Sequence, residues 1–269
     1  MSVYAKRESN TGKWVWGGVI GVAVALVLGG IGYYKMNHET LDKENLCPSN
    51  GPKGQYVVLI DNTSPFPFTQ KAALSQRLKT MVVNEVPEGH LLSVFLLGEK
   101  FEQNEKPIFE RCNPGQWGDR SQLTATKKFV DRDFNEKFAK PLDAVVRHIP
   151  LDEHSKLSPI FQMLQLVGIN GFDHANVKGD RKLVIYSDML ANMPDFSMYK
   201  NKRHNYAEFA KSPYGRNAQA PGLNGATVTI NLLANEQKTP QTNELGNFWA
   251  QYFEANGASV EGITAMEGL

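Results

Sequence analysis

The sequence lacks an excess of charge of either sign, since 29 Lys and Arg residues face 28 Asp and Glu residues. Binding to nucleic acid would need a wide basic field, so we expect no nucleic-acid partner. We assign the "MYKNKRHNY" stretch, 198–206, to a solvated loop, with contact to an anionic surface as the alternative interpretation of its basic and aromatic residues. Hydrophobic residues make up 41% of the 269 positions. That fraction is ordinary for a globular protein with a sizeable core and excludes a largely disordered chain.

The sequence also lacks the short motifs of several enzyme classes. It has no glycine-rich loop ending in Gly-Lys-Ser/Thr and no Gly-x-Ser-x-Gly nucleophile turn. The histidines outside the N-terminal region are scattered without the spacing of a metal site: His90, His148, His154, His174 and His204. We therefore expect a binding protein rather than an enzyme.

Cysteine is scarce, with only Cys47 and Cys112 in the whole chain. Each lies beside a proline turn, in "LCPSNG" and "RCNPG", and such a pair suits a disulfide in an oxidising compartment. The alternative is two unpaired thiols in a cytosolic domain.

One long uncharged run is present, "WVWGGVIGVAVALVLGGIGYY" at 14–34. Its length matches the hydrocarbon core of a bilayer, and aromatic residues lie at both ends, where they favour the membrane interface. We predict a short N-terminal tail at 1–13 and a transmembrane helix at 14–34. The alternative is a cleaved signal peptide with a basic start at Lys6, Arg7 and Lys13, but the run is long for one and no small-x-small cleavage site follows.

The residues around this run favour one orientation and one mode of pairing. Basic residues are denser on the short N-terminal side, which favours a cytoplasmic N-terminus and a soluble domain outside the cell membrane. Small residues recur every fourth position on one face of the predicted helix: Gly17, Gly21, Ala25 and Gly29. This pattern favours close helix pairing and a homodimer, although glycine is also common in membrane spans generally.

After a predicted polar stalk at 35–54, apolar strand candidates alternate with helical patterns over 55–269. The strand candidates are at 55–61, 90–98, 106–115, 181–190 and 225–234, and the helical patterns are at 69–86, 116–149, 158–169 and 243–258. Such alternation predicts an α/β fold with a doubly wound, mainly parallel sheet and helices on both faces. Ligands in these folds bind beyond the carboxyl ends of the strands.

Polar residues occupy the positions expected to meet at that edge. Asp61 ends the first strand and Thr63 follows it, Asp188 ends the strand of "IYSD", and Ser158 precedes a helical pattern. Carboxylate and hydroxyl oxygens are ligands for a hard divalent ion such as Mg2+. We therefore predict a metal site formed by these four side chains, with a plain helix cap as the alternative role of Ser158.

The element order and these motifs resemble a von Willebrand factor type A domain with its metal-ion-dependent adhesion site. In "DNTSP", Asp61 and Thr63 match two positions of the Asp-x-Ser-x-Ser loop, but Pro65 stands where the last serine is expected. Ser64 is an additional candidate ligand. The resemblance implies binding of a protein partner through Mg2+, while the missing hydroxyl leaves a degenerate, metal-free site as the alternative. Phe66 and Phe68 are candidates for the partner contact or for packing under the first helix.

These observations predict a membrane-anchored protein-binding module that works in a bacterial membrane-associated assembly. One alternative is a metal-dependent phosphatase, because "LIDNTS" also resembles the nucleophile motif of haloacid dehalogenase-type phosphotransferases, with Asp61 as nucleophile. Another is a dimeric structural scaffold without metal, held together by the pairing face of its membrane helix.

Overall fold

The computed structural model describes residues 11–37, 40–66, 68–119, 127–151, 155–172, 177, 179–200, 204–233 and 243–266. The chain divides into two compact units, Met1–Thr40 and Leu41–Leu269. Each unit is described by itself. Residues 1–10 of the predicted tail at 1–13 lie outside the described residues.

The described part of the first unit is the helix α1 (Thr11–Asn37), which includes the run predicted at 14–34 and continues past both of its ends. Its large apolar side chains with described positions are exposed, among them Trp16, Ile20, Leu26, Leu28 and Tyr33. Across the described ranges, no helix combines the length and the hydropathy that crossing a membrane requires. The predicted transmembrane span is therefore not confirmed and stays a prediction.

The second unit is a mixed α/β domain. Its described strands are β1 (Gln55–Asp61), β2 (Leu91–Leu97), β3 (Phe109–Cys112), β4 (Arg181–Ser187), β5 (Asn192–Met193), β6 (Phe196–Ser197), β7 (Ala226–Leu232) and β8 (Ser259–Ala265). Its described α-helices are α2 (Phe68–Asn84), α3 (Lys127–Phe134), α4 (Lys140–Arg147), α5 (Ile160–Leu166), α6 (Tyr206–Lys211), α7 (Pro213–Asn217) and α8 (Asn243–Ala255). A π-helical turn at Asn135–Ala139 joins α3 to α4, and another at Val167–Gly171 extends α5.

Six strands form the central sheet in the order β3-β2-β1-β4-β7-β8, and β5 pairs with β6 in a separate hairpin. All neighbours in the central sheet are parallel except β2 and β3. The chain winds outward from β1 to one edge and then from β4 to the other, so the strand order reverses between β1 and β4. The predicted α/β fold with a mainly parallel sheet is confirmed.

Helices cover both faces of the sheet because the side chains of each strand alternate between two cores. In β1, Val57 and Leu59 belong to one buried cluster with Phe161 of α5 and aromatic residues of α8. Val58 and Ile60 belong to the other cluster, with apolar side chains of α2 and of the α3–α4 region. Near-continuous apolar runs in the sequence are thus the signature of strands buried on both sides.

From Leu41 onward, the predicted stalk is instead part of the folded domain. Leu46 and Cys47 are buried, and the carbonyl of Asn45 accepts a 2.7 Å hydrogen bond from the backbone N–H of Cys112. A disulfide joins Cys47 to Cys112, as the sequence predicted. The stalk expectation was wrong for 41–54 because this crosslink and the backbone bonds fix a polar segment to β3.

Strand β8 was not among the predicted strands, since none was predicted after the helical pattern at 243–258. It follows α8 and pairs in parallel with β7 at the edge of the sheet. Its side chains are mostly exposed or half-buried, so its sequence has no buried apolar run.

Candidate functional site

The carboxylate of Asp61 is the centre of a hydrogen-bonded cluster at the carboxyl ends of β1 and β4. Its Oδ1 accepts bonds from the backbone N–H of Thr63 at 2.8 Å and from the Thr63 hydroxyl at 2.6 Å. Its Oδ2 accepts a 2.5 Å bond from the hydroxyl of Ser187. Parallel pairing of β1 with β4 brings Asp61 and Ser187 together, because both lie at the carboxyl ends of neighbouring strands.

Asp61 is only 2% exposed. Burial raises the pKa of its carboxyl group, and the hydrogen bonds from Ser187 and Thr63 oppose that rise by favouring the charged form. The net direction is upward, so removal from water outweighs the three donors. The fold therefore holds an acid at a position where its charge is costly.

Ser158 joins the same cluster from a different part of the chain. Its hydroxyl and that of Thr63 lie 3.0 Å apart and share a hydrogen bond. Its backbone exchanges two hydrogen bonds with Asn192, at 2.8 and 3.1 Å. The alternative role of Ser158 as a helix cap is wrong, because the N-cap position of α5 is Pro159 and no side chain caps that helix end. We call Asp61, Thr63, Ser158 and Ser187 the Asp61 cluster.

Asp188, the fourth predicted ligand, makes other contacts. Its Oδ1 accepts a 2.9 Å bond from the backbone N–H of Leu190, and its Oδ2 accepts a 3.2 Å bond from the hydroxyl of Tyr199. It is buried next to Ser187 in the chain. The structure thus brings Asp61, Thr63 and Ser158 together by hydrogen bonds, whereas Asp188 is attached to the loop that follows β4.

Sequence reasoning did not identify Ser187 as part of the site. Its hydroxyl both donates to Asp61 and accepts a 2.8 Å bond from the backbone N–H of Met189, a residue with a left-handed φ of 57°. The stretch "IYSD" contained the signal, because a residue with a hydroxyl group ends a buried strand there. The site was instead assigned to the aspartate that follows, Asp188.

The remaining predicted residues of this loop have different surroundings. Ser64 is half-buried. Phe66 is 4% exposed and belongs to the buried cluster that includes the apolar side chains of α2. The expected partner contact at Phe66 is therefore wrong, because its ring is in the core, and its packing alternative is confirmed. Phe68 begins α2, but its side chain lies outside the described residues.

The predicted pairing residues lie within α1. Gly21 and Gly29 have no atoms near the position of an added Cβ, and Ala25 is exposed. Gly17 lies in the same helix, but its surroundings are outside the described part. Pairing of two copies stays a prediction.

The chemistry of the cluster can be compared with what a divalent cation requires. In the described part of the chain, no three His, Cys, Asp or Glu side chains converge as a metal-binding group. The atoms that could ligate a cation are oxygens of Asp61, Thr63 and Ser158. The neighbouring residue Asn62 has a buried Oδ1 that has no hydrogen-bond partner among the described residues. A small, oxygen-only set with one carboxylate fits Mg2+, which keeps several waters and takes one or two carboxylates.

No model of a known protein family matches the chain, and no curated protein matches it by sequence. Among solved structures, a point mutant of the PilB minor pilin from Streptococcus sanguinis is 8% identical, with a TM-score of 0.45 over 80% of this chain. The match spans 58% of that pilin chain. An aerotolerance-related membrane protein from Bacteroides fragilis is 9% identical, with a TM-score of 0.35, and the match covers 78% of this chain and 89% of that one.

Proposed function

We propose that the α/β domain binds a protein partner at the carboxyl edge of its sheet, beside the Asp61 cluster. The observation that carries this proposal is the buried carboxylate of Asp61, held by the Thr63 and Ser187 donors where the strand order reverses. A buried acid with a raised pKa and specific partners marks a candidate functional site in a fold that binds its ligands at this edge.

The resemblance to von Willebrand factor type A domains supports Mg2+ as a participant in this binding. The residues that would hold the ion are Asp61, Thr63 and Ser158, together with Asp188, which follows Ser187 at the end of β4, and with Ser64 as an additional candidate. A bound Mg2+ would supply a coordination position for a carboxylate of the partner. The residues of the chain would hold the ion and, through Ser187, keep Asp61 in place.

We further propose that α1 anchors the domain to the cell membrane, with a cytoplasmic N-terminus and the domain outside. The uncharged run at 14–34 and the exposed apolar side chains of α1 support the anchor. The disulfide of Cys47 and Cys112 supports an oxidising compartment for the domain. The face formed by Gly17, Gly21, Ala25 and Gly29 supports pairing of two copies within a bacterial membrane assembly.

The test is capture of the partner by the full-length chain from gently solubilised membranes. Wild type and Asp61→Ala are compared in Mg2+ and in chelator, with Glu254→Ala, an exposed acid of α8, as the matched control. We expect one protein to co-purify with wild type and Glu254→Ala in Mg2+, and with neither in chelator. Equal capture by a folded Asp61→Ala variant, with or without chelator, would contradict the metal mechanism and favour the metal-free scaffold.

A further inference from the structure

A cavity of about 480 Å3 opens on the side of the domain formed by α5, α6, α7 and the β5–β6 hairpin. That volume is within the range of pockets that bind small molecules. Its lining shares no residue with the Asp61 cluster. The function proposed above therefore does not account for it.

Aromatic rings form one continuous wall of this cavity. Phe196 and Tyr214 stack with ring centroids 5.0 Å apart and an interplanar angle of 14°. Phe209 lies 5.0 Å from Phe196 and 5.1 Å from Phe248, both edge to face. All four rings line the cavity, and Phe209 and Phe248 are buried whereas Phe196 and Tyr214 are half-buried. The face of an aromatic ring is electrostatically negative and attracts cations.

The charged residues of the lining have the same sign. Asp195 and Glu208 line the cavity and are exposed, and no Lys or Arg is among its described lining residues. The titratable His204 also lines it, and burial lowers the pKa of that imidazole despite the nearby Glu244. The charged residues of the lining are therefore both acidic, and they lie beside aromatic rings and a histidine whose charged form is disfavoured by burial.

Hydrogen bonds also hold two parts of the lining, the Tyr214 side chain and the start of α6. The amide of Gln162 donates a 3.1 Å bond to the hydroxyl of Tyr214, which fixes the position of the hydroxyl end of that side chain. The side chain of Asn205 caps α6 by accepting from the backbone N–H of Glu208. Fixed side chains of this kind reduce the ordering that binding would otherwise cost.

We propose that this cavity binds a small organic ammonium ion. The quaternary or alkylated nitrogen would lie over the outer face of one ring of the stacked Phe196–Tyr214 pair, because the inner faces of the two rings cover each other. Asp195 and Glu208 would supply the balancing charge. Aromatic faces together with carboxylates are the chemistry that recognises organic ammonium groups. Neutral molecules of the same shape would gain only the apolar contact.

Choline and its uncharged carbon isostere 3,3-dimethylbutan-1-ol are the probes that separate charge from shape. The full-length chain is titrated calorimetrically with each probe in a non-ionic maltoside detergent, which adds no competing ammonium group. We expect choline to bind about tenfold more tightly than the isostere, since desolvated cation–π contacts and ion pairing act on the cation alone. Equal affinity for the two probes, or no saturable binding of choline, would overturn the proposal.

Variants locate the binding to this cavity. Phe196→Leu keeps an apolar side chain but removes a π face, and we expect it to weaken choline binding about threefold to tenfold without changing the binding of the isostere. Asp195→Asn and Glu208→Gln are expected to weaken choline binding in the same direction, and Glu254→Gln to leave it unchanged. Thermal unfolding verifies that each variant is folded. Unchanged choline affinity in all three cavity variants would assign the binding elsewhere and overturn the proposal.

Discussion

The hydroxyl of Ser187 donates a 2.5 Å hydrogen bond to Oδ2 of Asp61 and so joins the carboxyl ends of β1 and β4. These two strands flank the position where the order of the sheet reverses. The bond links residues 126 positions apart in the sequence. The geometry of the candidate site thus depends on the pairing of two strands and on one hydroxyl at the end of the second.

Replacing Ser187 by alanine tests that dependence. The change removes one donor to Asp61 and leaves the buried N–H of Met189 without its acceptor. We expect a loss of about 1–3 kcal/mol in the free energy of unfolding, measured by urea titration. Ser259→Ala, at an exposed serine of β8, is the control and is expected to change stability by less than about 0.5 kcal/mol. Equal effects of the two changes would contradict a role of Ser187 in holding the cluster.

The raised pKa of Asp61 predicts how stability depends on pH. The neutral acid suits the folded state better than the charged acid, so its contribution is complete below the unfolded pKa, near 3.8. That contribution is lost as pH rises through the higher pKa of the folded state. We expect the stability of wild type, relative to the non-titrating Asp61→Asn, to fall as pH rises above about 4.

The comparison is made by urea unfolding in chelator over several pH values, so that no metal contributes. A difference that grows in favour of wild type with rising pH would show that the Ser187 and Thr63 donors outweigh burial.

The disulfide predicts a large effect of reduction. It closes a loop across a sequence separation of 65, and loop-closure entropy gives a contribution of about 4 kcal/mol to stability. We expect reductant to lower the free energy of unfolding of wild type by roughly this amount. The double variant Cys47→Ser and Cys112→Ser should start from the lower value and show no response to reductant. Wild type that is equally stable in both conditions would contradict the prediction.

The contact of Gly222 with Gly168 predicts a steric effect. A Cβ added at Gly222 would lie 2.6 Å from the backbone carbon and oxygen of Gly168, which neither side chain motion nor rotation relieves. We expect Gly222→Ala to destabilise the domain by about 1–3 kcal/mol. Gly262→Ala is the control, since nothing lies within 4 Å of its added Cβ. Thermal unfolding of both variants measures the difference, and a Gly222→Ala variant as stable as the control would refute the packing argument.

Much of the fold could be predicted from local patterns of apolar and polar residues in the sequence. The apolar runs that end at Asp61 and near Asp188 predicted two central strands, because a strand covered on both faces needs apolar residues at nearly every position. The same patterns correctly brought Asp61 and Ser158 to one edge. Strand β8 was not predicted, since an edge strand with exposed side chains carries no such run.

Other features depend on contacts between distant residues. Ser187 became part of the site only through the register of β1 and β4, which the sequence does not record. The segment from Leu41 was assigned to a stalk because its polar composition indicates a linker, while the crosslink at Cys47 binds it to the domain. The wall of the cavity combines Phe196, Tyr214 and Phe248 from three separate elements, so no single stretch of sequence predicts it.

The crosslink between Cys47 and Cys112 also determines how the domain would respond to mechanical tension. Strands β1 and β2 and helix α2 lie inside its covalent loop, and a chain pulled from its two ends cannot be extended through that loop. An intact disulfide therefore keeps the loop, which covers a sequence separation of 65, from being extended. Fully stretched, that segment would add about 220 Å to the length of the pulled chain. Force arriving from the N-terminal side would pass through the sulfur–sulfur bond to Cys112 at the end of β3, leaving β1, which ends in Asp61, outside the covalent path of the load.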